Sequence, residues 1–387
     1  LTEIEAPVPV RGERPLGVYL HIPFCARKCA YCHFAIDPGR PEDARRERYL
    51  QALTREIAAS RGGDADTLYF GGGTPSLLPP KSVARLVAAV RERYRLATDA
   101  EVTLEANPAD LSPDSLSALL QSGVNRLSLG VQSLDPRVLV EMGRDHSAEA
   151  AREAARAARR AGFSNLSLDL ILGWPGETRP RFLATLEGLL ELRPDHVSVY
   201  VLETEGRTAL SHDLRRGALS LPDDDLVADL FVETEDRLRA AGLPPYEISN
   251  FARPGFESRH NLKYWDDGPF HAFGLSAHGY EEGVRYWNEE TLGRYCAAME
   301  TKGSARAGER RLSPLERVQD AVVTGLRRRA GVDLAEFRER HGVALLDEFG
   351  EALAPSFRAG LLEVQDGALR LTSRGVLLSN DVLDAIL

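Results

Sequence analysis

The chain has 387 residues, 43% of them hydrophobic and 27% charged, and carries a net charge of −10. Such a composition is ordinary for a soluble globular protein of two or three domains, or of one large barrel with an appendage, and its acidic balance argues against wholesale binding of nucleic-acid phosphate. No run approaches the roughly 18 apolar residues of a transmembrane helix, and three of the four cysteines fall between positions 25 and 32, which excludes a disulfide framework spread in pairs.

Residues 1–15, LTEIEAPVPVRGERP, contain no apolar run. They predict a flexible lead-in rather than a signal peptide, which points to a cytoplasmic protein. Short β-rich runs then alternate with helical patterns. LGVYL (16–20) predicts a first strand and 41–60 an amphipathic helix. TLYFG (67–71) is a second strand, followed by a helix over 80–94. EVTLEAN (101–107) is a third, with a helix starting at the Ser112-Pro113 cap. RLSLGVQ (126–132) is a fourth, and an Ala-rich helix over 147–162 stops at Gly162. NLSLDLILG (165–173) is a fifth strand, with a helix over 178–191. HVSVYVLE (196–203) is a sixth, with a helix over 223–242.

Six βα units in order predict an α/β architecture with a parallel, partial (β/α)6 barrel over 16–242, because a closed eight-stranded barrel needs about 250 residues. Residues 243–302 are rich in Gly, aromatics and His and predict an irregular extension. GSARAGERR (303–311) looks like a linker, opening a small carboxyl-terminal domain over 303–387. There, helical patterns precede LEVQDGALRLTSRG, with Asp366-Gly367 as a hairpin turn. That tail suits either a winged-helix-like module or a packing cap on the barrel.

The chemistry concentrates in HIPFCARKCAYCHF (21–34), with the spacing Cys25-x3-Cys29-x2-Cys32. Thiolates are the usual ligands of iron–sulfur clusters. Three on one tight loop hold three irons of a cubane and leave the fourth open to a molecule bearing an amine and a carboxylate. Tyr31 can screen the cluster from water. A zinc site is the rival, with His21 or His33 as fourth ligand. Cys296, in RYCAAME, suits an inert core thiol.

The cysteine spacing and the aromatic before Cys32 resemble the radical S-adenosylmethionine (SAM) superfamily. YLHIPFCARKCAYC resembles more specifically its HemN/HemW branch, the oxygen-independent coproporphyrinogen oxidases and their haem-chaperone relatives. The resemblance runs from Tyr19 to the carboxyl end. It implies a [4Fe–4S] cluster, S-adenosylmethionine as cofactor, and an electron donor as partner. It also implies one-electron reductive cleavage of the cofactor to methionine and a 5′-deoxyadenosyl radical. FGGGTP (70–75) follows the second strand, and its glycines let a backbone approach a ligand closely; in the resembled family this loop contacts the methionine amino group, which maps to Gly72, Gly73 and Thr74. Glu105, Gln132 and Asp169 close later strands and Arg144 lies in the loop GRDHS, where barrel enzymes gather their functional residues. Taken singly, each suits a strand cap. Taken together with Tyr19, they match cofactor-contacting positions of the family.

Two departures disfavour the oxidase branch. Those enzymes carry a further cysteine two positions after the third, where Phe34 stands, and a longer segment before the position of Tyr19, which 18 residues precede here. SRHNLKYW (258–265) places His260, Asn261, Tyr264 and Trp265 in a pattern that resembles the haem-binding motif of the HemW type. It suggests axial ligation by His260 at the mouth of the barrel, with aromatics flanking the ring; the same residues also suit the ordering of a buried loop. His278, in FGLSAHGY, suits a structural role. In ETEGRTAL (203–210), Gly206 and Arg207 replace the Pro-Gly of the family's turn.

These readings point to a HemW-like protein that binds haem and delivers it to an apo-haemoprotein. The alternatives are coproporphyrinogen III oxidation, a radical methyltransferase or haem-degrading relative, and a zinc-stabilised binding module.

Overall fold

The computed structural model describes residues 14–387, so the expected lead-in lies outside the described residues except for Arg14 and Pro15. Six strands run parallel in sequence order: β1 (Leu16–Ile22), β2 (Gly63–Gly72), β3 (Tyr94–Ala106), β4 (Arg126–Gln132), β5 (Asn165–Leu172) and β6 (His196–Val201). Among these six, each pairs only with its sequence neighbours, and β1 and β6 do not meet, so the barrel is partial, as expected. Helices Asp43–Ala59, Pro80–Arg93, Pro113–Gln121, Ala148–Ala161, Arg179–Leu190 and Asp224–Ala240 join them.

The strands have two unlike faces. Val18, Leu20, Leu68, Phe70, Leu104, Leu127, Leu129, Leu168 and Val199 are fully buried in one apolar core with Leu50, Leu53 and Leu86 of the helices. The intervening positions carry Tyr19, Tyr69, Glu105, Ser128, Asp169 and Ser198. Because side chains alternate along a strand, the concave lumen of the barrel is polar while its convex face is oily.

Helix boundaries follow local chemistry. Ser112 caps its helix through a reciprocal pair with Ser115, and Ser147 accepts from the Ala150 N–H. Gly162 ends the Ala-rich helix at φ 107°, a left-handed conformation in which glycine pays no Cβ penalty.

The segment expected to be irregular is not. Strand Asn250–Ala252 extends the sheet antiparallel beyond β6, and Phe270–Phe273 extends it parallel beyond β1. Strands His278–Glu281, Val284–Asn288 and Arg306–Arg311 follow as antiparallel neighbours, giving eleven strands. Residues 306–311, expected as part of a linker, are therefore the outer strand of the large sheet. They are charged and largely exposed because only one of their edges is paired.

The carboxyl-terminal unit packs helices Pro314–Gly325, Leu334–His341 and Leu345–Arg358 beside a sheet of Val332–Asp333, Leu362–Gln365 and Ala368–Leu371. Asp366 (φ 52°) and Gly367 (φ 80°) form the two-residue turn of its hairpin, matching the winged-helix-like expectation.

Candidate functional site

The loop after β1 carries the three cysteines across the carboxyl-terminal mouth of the barrel. Its backbone is tied down on several sides. Gly39 N–H donates to Cys25 C=O (2.9 Å), Ala30 N–H to Met142 C=O (3.0 Å), and Leu210 N–H to Ala30 C=O (2.9 Å). Cys25 is buried, whereas Cys29 and Cys32 are partly open. The Cys25 thiol lies 3.1 Å from Thr74 Oγ1, and Arg144 Nη1 lies 3.5 Å from Cys29 Sγ. Burial pushes the free Cys25 thiol up to about 11, so a metal that takes it as thiolate must bring the compensating positive charge. The Tyr31 ring sits edge-on to Trp174 at 6.2 Å, closing one side of the loop.

Among the described residues, no three His, Cys, Asp or Glu side chains converge as ligands of one ion would. A cubane suits such a loop, because it spreads its thiolates over separate irons. His21 is a poor zinc ligand in any case: its Nδ1 lies 3.2 Å from Tyr19 Oη and its Nε2 2.8 Å from Ala35 O.

The strand-end residues gather around this loop. Tyr69 Oη donates to Glu105 Oε1 (2.8 Å) and the Gly72 N–H donates to Glu105 Oε2 (3.2 Å). Burial pushes the Glu105 carboxyl up to about 7. Asp169, also raised by burial, accepts from Ser128 Oγ (3.2 Å). Tyr19 stacks on Tyr69 at 6.1 Å. Gln132 has φ 65°, and the β4–β5 register slips between Leu129 and Gln132. A bulge of this kind re-aims a side chain beside a site, and here it turns Gln132 back over Gly130. A Cβ at Gly130 would lie 3.0 Å from Gln132 Nε2 and 3.4 Å from Arg144 Nη2. Glycine there makes room for both. Arg144 Nη2 donates to the Gly130 carbonyl (2.8 Å), while its Nε is buried without a hydrogen-bond partner. A spare guanidinium donor beside Cys29, and the buried carboxyl groups of Glu105 and Asp169 on the lumen side of the strands, suit a ligand carrying both a carboxylate and an ammonium group.

The glycine-rich loop serves the fold more directly than expected. A Cβ at Gly73 would lie 2.7 Å from the Pro23 backbone, and one at Gly72 (φ 106°) would lie 2.4 Å from the His21 ring. These glycines let β1 and β2 exit together, with Gly73 N–H donating to Ile22 C=O and Thr74 N–H to Phe24 C=O, each at 2.7 Å. Their approach is to the cysteine loop itself, which is thereby held in place.

The four motif residues expected at the mouth lie elsewhere. His260, on helix Arg259–Trp265, is 1% exposed and sits deep in the lumen, two pleats below Glu105. Its Nδ1 is 2.8 Å from Thr67 Oγ1 and its Nε2 2.9 Å from Tyr264 Oη. It stacks on Tyr69 at 5.1 Å, and burial lowers its pKa to about 3, so it is neutral with both nitrogens engaged. Trp265 lies under the Arg327 guanidinium (4.7 Å), and the Asn261 N–H donates to Ser258 Oγ (3.3 Å). The motif plugs the amino-terminal end of the barrel, because a polar lumen needs polar partners where it closes.

Sequence reading missed Tyr69, Ser128 and Gly130. The signal was available: the polar residues of β2 to β5 recur with period two, the mark of a polar lumen.

The radical SAM superfamily model matches residues 19–189, and the HemN C-terminal domain model matches 312–378. The heme chaperone HemW of Lactococcus lactis subsp. lactis is 36% identical over 377 residues, covering 97% of this chain and 98% of the relative. That of Mycobacterium tuberculosis (strain ATCC 25618 / H37Rv) is 39% identical over 394 residues, covering 100% of this chain and 98% of the relative. Coproporphyrinogen III oxidase (HemN) from Escherichia coli, a radical SAM enzyme, has a similar fold, with a TM-score of 0.84 at 27% identity. The likeness covers 97% of this chain and 90% of that one.

Proposed function

The chain belongs to the HemW family of the radical SAM superfamily, and from that premise we propose that it binds a [4Fe–4S] cluster, S-adenosylmethionine and haem, and delivers haem to apo-proteins in the cytoplasm. The observation that carries the haem part is likeness over almost the whole chain to proteins named heme chaperones. Among the described residues, no helix is long and apolar enough to cross a membrane.

In this reading Cys25, Cys29 and Cys32 hold the cluster. Arg144 meets the cofactor's carboxylate with its unpartnered Nε. Glu105 and Asp169 offer anionic partners to its ammonium or hydroxyl groups, with Tyr69 and Ser128 fixing those carboxylates in place. Gln132 reaches the same space across its bulge, Tyr19 backs the floor, and the backbone of Gly72, Gly73 and Thr74 holds the wall beside Cys25. Bound there, cluster and cofactor together would supply a one-electron cleavage of a sulfonium C–S bond. Tyr31 and Trp174 keep water from the cluster side.

Coproporphyrinogen oxidation has the HemN-like fold in its favour. Fold alone does not fix function, and Phe34 stands where the resembled oxidases carry a further cysteine.

The test is anaerobic reconstitution, followed by haem titration and turnover assays. The protein should hold about four irons and four sulfides per chain, change its electron paramagnetic resonance signal with S-adenosylmethionine, take up haem, and leave coproporphyrinogen unconverted. Stoichiometric zinc without iron, or decarboxylation of coproporphyrinogen, overturns the reading.

A further inference from the structure

Arg126, the first residue of β4, is among the largest fully buried side chains of the protein, at 2% exposed. Leu127 and Leu129 point into the apolar core, so alternation puts Arg126 on the lumen side of the strand. Its register partners on the adjoining strands are Thr103 and Asn165, and neither takes it. Thr103 Oγ1, Asn165 Oδ1 and Arg126 Nε are all buried without hydrogen-bond partners. Glu101, Tyr69, Tyr246 and Asp169 act on the guanidinium through charge at a distance rather than through hydrogen bonds. A buried cation that nothing pairs is costly to keep, and its position beneath the strand-end carboxyls gives it a use.

Those carboxyls are held by neutral donors. Glu105 accepts from Tyr69 Oη and the Gly72 N–H, and Asp169 from the Ser128 and Ser167 hydroxyls. Glu105 stands two residues above Thr103, about 7 Å along β3, within the reach of an arginine from the next strand. The charge of Arg126 draws the pKa of Glu105 and of Asp169 down against their burial. The other groups facing this space keep one state. Burial holds Tyr19, Tyr69, Tyr200, Tyr246 and Tyr264 protonated. It lowers His196 and His260, which are neutral with both ring nitrogens engaged. Glu101 is tied to the N–H groups of Arg259 and His260, each at 3.1 Å. Glu247 answers to Arg327, and Arg144 points to Cys29 and Gly130.

We infer that Arg126 is a positioning residue for the cofactor: its unpaired guanidinium, sealed beneath the lumen, keeps Glu105 and Asp169 anionic so that they can hold the ammonium and hydroxyl groups of S-adenosylmethionine. The inference rests on the S-adenosylmethionine reading above and deepens it. Arg126 touches neither cluster nor cofactor; it acts through the two carboxylates. A cation paired directly to one of them would compete with the ligand for it, whereas one held apart favours ionisation and leaves the carboxylate oxygens available.

The test is S-adenosylmethionine binding to the reconstituted full chain between pH 6 and 8.5, with iron content and melting point measured at each pH. In wild type, binding should strengthen as pH rises through 7. Arg126→Met should keep its cluster and displace that curve upward by about one pH unit, which makes binding at least about fivefold weaker at pH 7 and restores it toward pH 8.5. Without cofactor, its melting point relative to wild type should fall as pH rises, because the carboxylates then ionise with no counter-charge. Arg126→Lys, which keeps the charge, should retain the wild-type profile. A wild type that does not bind S-adenosylmethionine removes the cofactor reading itself. In a binding-competent wild type, an unmoved pH profile in Arg126→Met overturns the inference. So does an equal loss of binding and melting point at every pH, or a chain that fails to fold even at pH 6, since each of these marks Arg126 as packing alone.

Discussion

His260→Ala separates a ligand from a structural plug. The ring is buried, stacks on Tyr69, and engages Thr67 and Tyr264 through its two nitrogens. Its removal leaves two hydroxyls without partners, each costing about 1–3 kcal/mol if no water replaces the ring. It also opens a cavity, and deletion of a buried aromatic ring costs about 3–5 kcal/mol in total. Partial rescue by water keeps the combined loss near the same 3–5 kcal/mol. With an unfolding entropy of about 2.1 cal/mol/K per residue over the chain, that lowers the midpoint by about 4–6 °C if the chain unfolds as one unit. The assay is calorimetric melting beside haem titration at low temperature, where the variant remains folded. The melting point should fall while the Soret spectrum per folded chain stays that of the wild type. An unchanged melting point with a lost histidine-ligated spectrum would refute the reasoning and return His260 to the haem.

The remaining predictions concern the cluster loop and its carboxylates. Cys25→Ala, Cys29→Ala and Cys32→Ala should each abolish the iron content seen on anaerobic reconstitution; Cys296→Ala, deep in the core beside Tyr295 and Met299, should retain it and lose only about 1 kcal/mol of stability. Gly73→Ala forces a Cβ to within 2.7 Å of the Pro23 backbone, so it should cost about 1–3 kcal/mol even without cofactor; an unshifted melting curve of the apo-protein would show that the loop yields freely. Glu105 titrates near 7 in the folded protein against 4.5 ordinarily, so between those pH values the folded state holds a proton that the unfolded chain has released. Its contribution to stability therefore falls as pH rises from 4.5 to 7, and Glu105→Gln should flatten that slope while weakening S-adenosylmethionine binding. An identical slope in the variant would assign the pH dependence to other groups.

The order of the six βα units, their capping residues and the cysteine loop were legible in the sequence, because each rests on local rules. Ser147 caps the helix that follows it, Gly162 takes the left-handed turn that stops it, and three thiols in eight residues must share a loop. Polar residues at strand ends also announced themselves, since strand direction and side-chain alternation bring Glu105, Gln132 and Asp169 to one mouth. Tertiary structure alone decided what those local rules leave open. RAGERR has the composition of a linker, and pairing with Val284–Asn288 makes it a strand. Gly73 is glycine because β1 passes within reach of a Cβ, a contact between segments some fifty residues apart. His260 and Tyr264 look like a ligand beside a ring in the sequence, yet Thr67, almost two hundred residues away, claims the imidazole. A side chain's chemistry is written in its identity, but its availability depends on which distant groups reach it first. His260 is buried, with both of its ring nitrogens engaged.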